Sequence, residues 1–190
     1  MLKIGTHNSA TGEKPTWYSC VLTPFARCQS KTIKEQYEAG CRLFDLRIKL
    51  VGDKWKMAHG LWITQRTAED IIKELNSFED VCHCTFTYEG SAGHNEQFIS
   101  FIEKLKTLYK HITYGPVAVK YGKDSEGIKV CYEYIMNGDK DWLDAPTRSH
   151  FLALDGKNWQ TYIPIPWLWK KIYYNKPEFR EDIYTYVDFL

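Results

Sequence analysis

Apolar and polar positions alternate along this chain in short strand-length runs, and stretches of helical spacing lie between them. Leu2 to Thr6 predicts a short strand that ends at His7. Residues 8–30, which hold Gly12, Pro15 and Pro24, predict a long irregular connection. Connections of that length in a compact domain are often functional. Thr32 to Gly40 predicts a helix with a C-terminal glycine stop. Cys41 to Leu50 predicts a strand, Gly52-Asp53 a turn, and Lys54 to Ala58 the returning arm of a hairpin. Between Thr67 and Phe78, Ile71, Ile72, Leu75 and Phe78 fall at helical spacing, with Thr67 as N-cap and Asp70 after it. Val81 to Tyr88 predicts the next strand. Asn95 to His111 is the clearest helix, with Phe98, Ile99, Ile102, Leu105 and Leu108 on one side. Pro116 to Tyr121, His150 to Leu154 and Ile183 to Leu190 predict further strands, and Gly127 to Ile135 fits either a strand or a helix start.

Strand and helix in alternation argue for a parallel sheet. About six to eight strands with polar residues at their C-terminal ends argue for an α/β fold of the TIM type. A full (β/α) barrel takes about 250 residues. At 190 residues, a compact or incomplete barrel is expected, with residues 1–190 as one domain. Hydrophobic content of 44% and charged content of 26% describe an ordinary soluble protein. A net charge of +1 and the absence of any basic run or nucleic-acid signature exclude a nucleic-acid partner. The 13 Tyr, 7 Trp and 9 Phe suit sugar sites, packed cores and lipid interfaces alike, so their number does not choose. Six cysteines in a chain this long are not a disulfide scaffold. Cys82-His83-Cys84 lacks a second ligand pair at finger spacing, so a buried strand with small apolar thiols is the expectation there. With the first strand starting at residue 2 or 3, the expectation is either a protein that stays where it is made or one whose leader has been trimmed, and no apolar run approaches the ~20 residues of a membrane span.

The chemistry concentrates in three short runs: Gly5-Thr6-His7-Asn8-Ser9, then Phe44-Asp45-Leu46-Arg47, then His59-Gly60-Leu61. His7 and His59 stand 52 residues apart. Each run is apolar and ends in polar groups, which is how a strand delivers catalytic residues to the mouth of a barrel. Two imidazoles and a guanidinium suit phosphoryl transfer: one ring takes a proton, the other gives one, and Arg holds the charge that builds on phosphate.

These runs, with Thr32 to Arg42 between them and Tyr186-Val187-Asp188-Phe189 near the end, resemble the phosphatidylinositol-specific phospholipase C family. The likeness is to the catalytic X domain of the bacterial type. It is specific over the first 60 residues and architectural between residues 90 and 180. It implies a distorted TIM-type barrel and a phosphatidylinositol-type phospholipid or inositol-phosphate substrate. The inositol 2-hydroxyl would attack phosphorus, giving an inositol cyclic phosphate and a diacylglycerol.

On that likeness His7 is the general base, and Asp188 accepts a hydrogen bond from its other nitrogen and fixes the tautomer. His59 is the general acid, so an acidic neighbour, with Asp45 the candidate, is expected to raise its pKa. Arg47 binds the phosphate oxygens. A structural ion pair is the other reading of Asp45 and Arg47, which alternation places on one face. Asn8 departs from the metal-independent bacterial pattern, which carries Asp there, and matches the calcium-dependent eukaryotic members. Arg47 stands where those members place an acidic ligand, and its charge replaces the divalent one. A metal-independent enzyme without cofactor is therefore expected, while a Ca2+ site on Asn8, Asp45 and Glu89 stays open. Glu89, Lys120 and Asp155 near strand ends are candidate contacts to substrate, and Tyr88 to Ser91 fits a plain βα turn equally. Ile163 to Lys171 holds Trp167 and Trp169 beside two lysines, the composition of a peripheral membrane anchor or of a capping loop with buried Trp. Two other functions fit the same residues. One is a metal-dependent glycerophosphodiesterase or sphingomyelinase-D-like enzyme, and the other is a non-catalytic lipid or inositol-phosphate binding module.

Overall fold

Two helices begin where the sequence supplies a cap. In the computed structural model, which describes residues 1–90, 92–123, 130–140, 142–150, 178–188 and 190, Thr32 and Glu35 form a reciprocal capping box ahead of α2 (Ile33–Glu38). Thr67 and Asp70 do the same ahead of α3 (Ala68–Asn76). Each box satisfies amide donors that a bare helix start leaves unpaired. Gly40, at φ +94, ends the turn after α2 in a region that L side chains rarely adopt. α1 (Thr23–Ala26) is a single turn within the long connection, and α4 (Asn95–Leu108) is the longest helix described.

The strands are β1 (Ile4–Thr6), β2 (Cys41–Val51), β3 (Lys54–His59), β4 (Trp62–Thr67), β5 (Cys82–Tyr88), β6 (Ile112–Lys123), β7 (Val130–Met136), β8 (Thr147–His150) and β9 (Tyr184–Val187). They form one sheet in the order β7-β6-β5-β2-β1-β9-β8, with β3 and β4 added beside β2. The pairs β1–β2, β1–β9, β2–β5, β5–β6 and β8–β9 are parallel, and β6–β7 is antiparallel. The sheet curls, and no pairing joins its β7 and β8 edges among the described residues. Alternation along β5 sends Cys82, Cys84, Phe86 and Tyr88 into the core, against Ile71, Leu75, Phe98, Ile102 and Leu105 of α3 and α4. His83, Thr85 and Thr87 take the other face, so His83 and the two flanking thiols point apart.

Three expectations change. β4 lies in a stretch that carries no strand signal beyond Trp62-Ile63-Thr64, and a two-residue loop at Gly60-Leu61, with Gly60 at φ +62, joins it to β3. Residues 130–136 are strand, which settles the choice left open for Gly127 to Ile135. α4 stops at Leu108, which is 54% exposed, because the following chain is captured elsewhere: the His111 amide donates to Asn76 Oδ1 at 2.8 Å. Leu152 and its neighbours lie outside the described residues, as does the stretch from Ile163 to Lys171. No helix among the described residues is long and apolar enough to cross a membrane.

The feature that builds a site is the edge of β2. β5 pairs with Leu43–Ile48 on one edge, so β1 and β3 share the other. β1 runs parallel to β2 as far as Thr6, opposite Phe44. β3 runs antiparallel from Val51 back to Met57, opposite Ile48. About 13 Å of β2 separates Phe44 from Ile48, taking ~3.3 Å per residue. His7 enters that gap from one side and His59 from the other, with Asp45 and Arg47 between them on β2.

Candidate active site

His7 follows the end of β1, where its amide donates to the Val187 carbonyl at 2.9 Å. Asn8 then takes the left-handed conformation, φ 46 and ψ 49, which Asn tolerates better than most residues. Its amide donates to Asp45 Oδ2 at 3.0 Å, which ties the turn to β2. Ser9 Oγ donates to the Thr6 carbonyl, and Thr11 Oγ1 to the Asn8 carbonyl. Buried Gln29 clamps the two strand ends together: its Nε2 donates to the carbonyls of His7 and Val187 at 2.9 and 2.8 Å. Gly12 lets the Lys31 backbone pass against it, since a Cβ there would sit 1.8 Å from the Lys31 carbonyl oxygen.

The tautomer of His7 follows from its partners. Nδ1 lies 2.8 Å from Asp188 Oδ1, and a carboxylate only accepts. Nε2 lies 2.9 Å from Arg47 Nη2 and 3.2 Å from Asn8 Nδ2, both donors. The proton therefore sits on Nδ1 and the lone pair on Nε2. Arg47 bridges the rest of the cluster: Nε donates to Asp45 Oδ2 at 3.1 Å, and Nη1 donates to Glu89 Oε1 at 3.2 Å and to the Tyr132 hydroxyl at 3.1 Å. Burial works to raise the Asp45 pKa, but Arg47 and His7 outweigh it and hold the carboxyl below its usual value.

His59 stands differently from the expectation. Asp45 is turned to Asn8, Arg47 and His7 rather than to His59. The partner of His59 is a main-chain group, the Ala26 carbonyl, 2.7 Å from Nδ1. Burial lowers the pKa of this ring, and Arg47 and His7 lower it further. The Ala26 carbonyl and Glu89 pull the other way without reversing the shift, so the substrate-free ring favours its neutral form.

A cavity of about 350 Å³ opens beside His7, Asp45 and Arg47. Thr85, Thr87, Thr147 and Tyr186 line it with hydroxyls, and Tyr132, Tyr134 and Trp142 with aromatic rings. His59 is outside this lining, and it stays within electrostatic reach of His7, Arg47 and Glu89. Beside His59 runs the segment that carries Ala26. Thr16 N and Ser19 Oγ donate to the Ile63 carbonyl at 2.8 and 2.9 Å, and Trp62 Nε1 donates to Thr23 Oγ1. That segment, with the β3–β4 turn, exposes Trp17 (84%), Val21 (69%), Phe25 (49%) and Leu61 (71%).

The structure thus brings together His7, Asn8, Asp45, Arg47, Glu89 and Asp188, and sets His59 at their margin. Lys120 sits in β6 opposite Tyr132, and its side chain lies outside the described residues, as do Asp155, Trp167 and Trp169. Sequence reasoning missed Tyr132, Gln29 and the Ala26 carbonyl. The one signal for the last two was that they fall in the long connection already singled out as functional.

No family model and no curated protein matches the chain. Solved structures do. A variant of the phosphatidylinositol-specific phospholipase C of Staphylococcus aureus matches with a TM-score of 0.54 and 14% identity, over 98% of this chain and 85% of that one. The fold is an incomplete TIM-type barrel. A second variant of the same enzyme matches with a TM-score of 0.51 and 15% identity, over 97% and 70%. The phosphatidylinositol-specific phospholipase C of Listeria monocytogenes shares 22% identity over 57% of this chain, with a TM-score of 0.48. This chain spans 40% of that enzyme's length. At these identities the likeness is one of fold.

Proposed function

We propose that this chain is a phosphodiesterase that cleaves phosphatidylinositol-type lipids by paired-histidine acid–base catalysis. One observation supports the reading: β1 and β3 share one edge of β2, His7 is in contact with Arg47, and His59 lies within electrostatic reach of both. His7 Nε2, with its lone pair held toward the cavity by the Asp188 contact, takes the proton from the inositol 2-hydroxyl. That hydroxyl attacks phosphorus, and the glycerol oxygen leaves. Arg47 stabilises the charge that develops on the phosphate oxygens. His59 protonates the leaving oxygen, which requires its cationic form. The phosphate charge beside the ring supplies the stabilisation that the substrate-free site lacks. The products are an inositol cyclic phosphate and a diacylglycerol.

The layout supports this division of labour. The hydroxyl- and aromatic-lined cavity on the His7 side suits a polyol head group. His59, outside that cavity, stands beside the exposed apolar side chains of residues 17–25 and Leu61, which suit the lipid half at a membrane surface. Substrate contacts from Glu89, Lys120 and Asp155 belong to this proposal, as does peripheral membrane contact through Trp167 and Trp169. The proposal is metal-independent. A Ca2+ ion held by Asn8, Asp45 and Glu89 fits poorly, since the guanidinium of Arg47 bridges both carboxylates. The test is phosphorus NMR on phosphatidylinositol vesicles, with and without chelator. Cyclic phosphate should form in both, and His7→Ala and His59→Ala should each lose about 10²–10⁴-fold in rate. Turnover that stops with chelator moves the assignment to a metal-dependent diesterase, and inositol-phosphate binding without turnover moves it to a binding module.

A further inference from the structure

Arg47 marks the cationic side of His7. Two further donors of other types stand close to the same ring. Ligand atoms of His7, Cys28 and Asp188 all lie within 4.8 Å of one another, and Cys28 and Asp188 are buried. We infer that His7, Cys28 and Asp188 form a binding site for a soft divalent cation of the Zn2+ type, and that its occupancy switches the acid–base site off.

The donor set selects the ion. One imidazole, one thiol and one carboxylate are the ligand types of zinc, whereas Ca2+ and Mg2+ take six or more oxygens. Zinc bonds of ~2.0–2.3 Å in a tetrahedron hold ligand atoms about 3.3–3.8 Å apart, so closing the set needs shifts of about an ångström or less per group. A second observation points to the same place. The Asn8 amide lies between two of the ligands, with Nδ2 3.2 Å from His7 Nε2 and 3.5 Å from Cys28 Sγ. Its Oδ1 is buried and has no hydrogen-bond partner among the described residues, although Asn8 is only 2% exposed. Such an orphaned oxygen is costly unless something binds it. Rotation of the amide would offer it as a fourth ligand; a water would serve otherwise.

Binding involves no redox step. The metal–sulfur bond forms, the Cys28 S–H bond breaks, and the proton leaves to solvent; the imidazole ligates as its neutral form. Either ring nitrogen gives the same outcome. Ligation through Nε2 occupies the lone pair the base needs, and ligation through Nδ1 moves the ring proton to Nε2. The site is thus a competitive use of the base by a trace metal.

The test uses the full chain with Cys20→Ser and Cys131→Ser, which removes the exposed thiol and the one whose side chain is not described. Cd2+ is the probe, because a cadmium–thiolate bond absorbs in the near ultraviolet. One Cd2+ per chain is expected by calorimetry, with a charge-transfer band. Cys28→Ser should abolish the band and weaken binding at least tenfold. Asp188→Asn should weaken binding at least tenfold and keep the band. Circular dichroism checks each fold, and Cys28→Ala replaces the serine variant if that one unfolds. A band that survives loss of Cys28, or no Cd2+ uptake by the background protein, overturns the inference. Zn2+ inhibition of turnover, relieved by Cys28→Ser, is a separate arm that alone rests on the proposed phosphodiesterase activity. The binding arm stands or falls even in a chain without turnover.

Discussion

Arg47→Ala is the perturbation from which the site's energetics can be read. The guanidinium touches His7, Asp45, Glu89 and the Tyr132 hydroxyl, and its side chain keeps only 15% of its surface, against 12% for Asp45 and 3% for Glu89. Removing one partner from a buried charge cluster costs about 3–5 kcal/mol, and the residual exposure here argues for the lower end, ~3 kcal/mol. For a chain of this size that lowers Tm by about 6–12 °C. The pH dependence carries the sharper sign. In the parent protein the Asp45 carboxyl is held below its usual value, so its contribution is present above about pH 4 and lost as pH falls through the folded pKa. Without Arg47, burial dominates and the pKa moves above the unfolded value. The variant then loses stability as pH rises through that raised value. The gap between the two proteins should be full by about pH 7 and smaller near pH 4, and it should close further only below about pH 4, where the parent loses its own share. Urea unfolding at both values measures it. Turnover should drop by about 10²–10³-fold or more, the usual loss for one donor to a developing oxyanion. Arg47→Lys should regain some stability and little activity, because one ammonium cannot span four partners. A variant as stable as the parent at pH 7, or a gap that does not shrink in acid, refutes the view that Arg47 neutralises a buried carboxylate pair.

The remaining predictions concern single groups. Asp188→Asn should cut kcat by about 10²–10⁴-fold with KM nearly unchanged, because it loosens the tautomer of His7; steady-state kinetics decide, and a kcat within threefold of the parent counts against the orienting role. The kcat/KM of the parent should fall as pH rises through a value below the ~6.5 of an ordinary imidazole, since the free-enzyme His59 must be charged; the kcat limb should sit higher, and His59→Gln should remove it. Trp17→Ala combined with Phe25→Ala should reduce co-sedimentation with phosphatidylinositol vesicles while leaving cleavage of a water-soluble inositol phosphodiester within about twofold; equal losses on both substrates would place these side chains in the fold rather than at a lipid surface.

Much of the fold was legible because the local signals agreed. The alternation in Cys82 to Tyr88, the threonine cap at Thr67 and the glycine at Gly40 each acted where the sequence put them. The misses have tertiary causes. β4 has two apolar residues, Trp62 and Ile63, before it turns polar, too few to show a period, and it exists because the hairpin folds it against β3 and the 14–19 segment ties down its outer edge. α4 had apolar residues enough to continue past Leu108, but the Asn76 side chain, far away in sequence, binds the His111 amide and ends it.

The site was legible as residue types and opaque as wiring. Strand ends announce which side chains reach the barrel mouth, so His7, Asp45, Arg47, Glu89 and Asp188 could be named from alternation and the family likeness. What a loop carbonyl touches has no spacing to betray it, and the Ala26 carbonyl holds His59 where an acidic side chain was expected. The distance between the two imidazoles is likewise a matter of register rather than of sequence separation. β1 reaches Phe44 from one direction and β3 reaches Ile48 from the other, so the 52-residue separation of the histidines collapses to the short stretch of β2 from Asp45 to Arg47. A slip of one residue in the β2–β3 pairing would turn His59 to the opposite face. The two-residue Gly52-Asp53 loop, with Gly52 at φ +62, is what pins that register. The turn most distant from the site in this hairpin therefore sets where His59 stands relative to Arg47, the geometry on which the proposed acid–base pair depends.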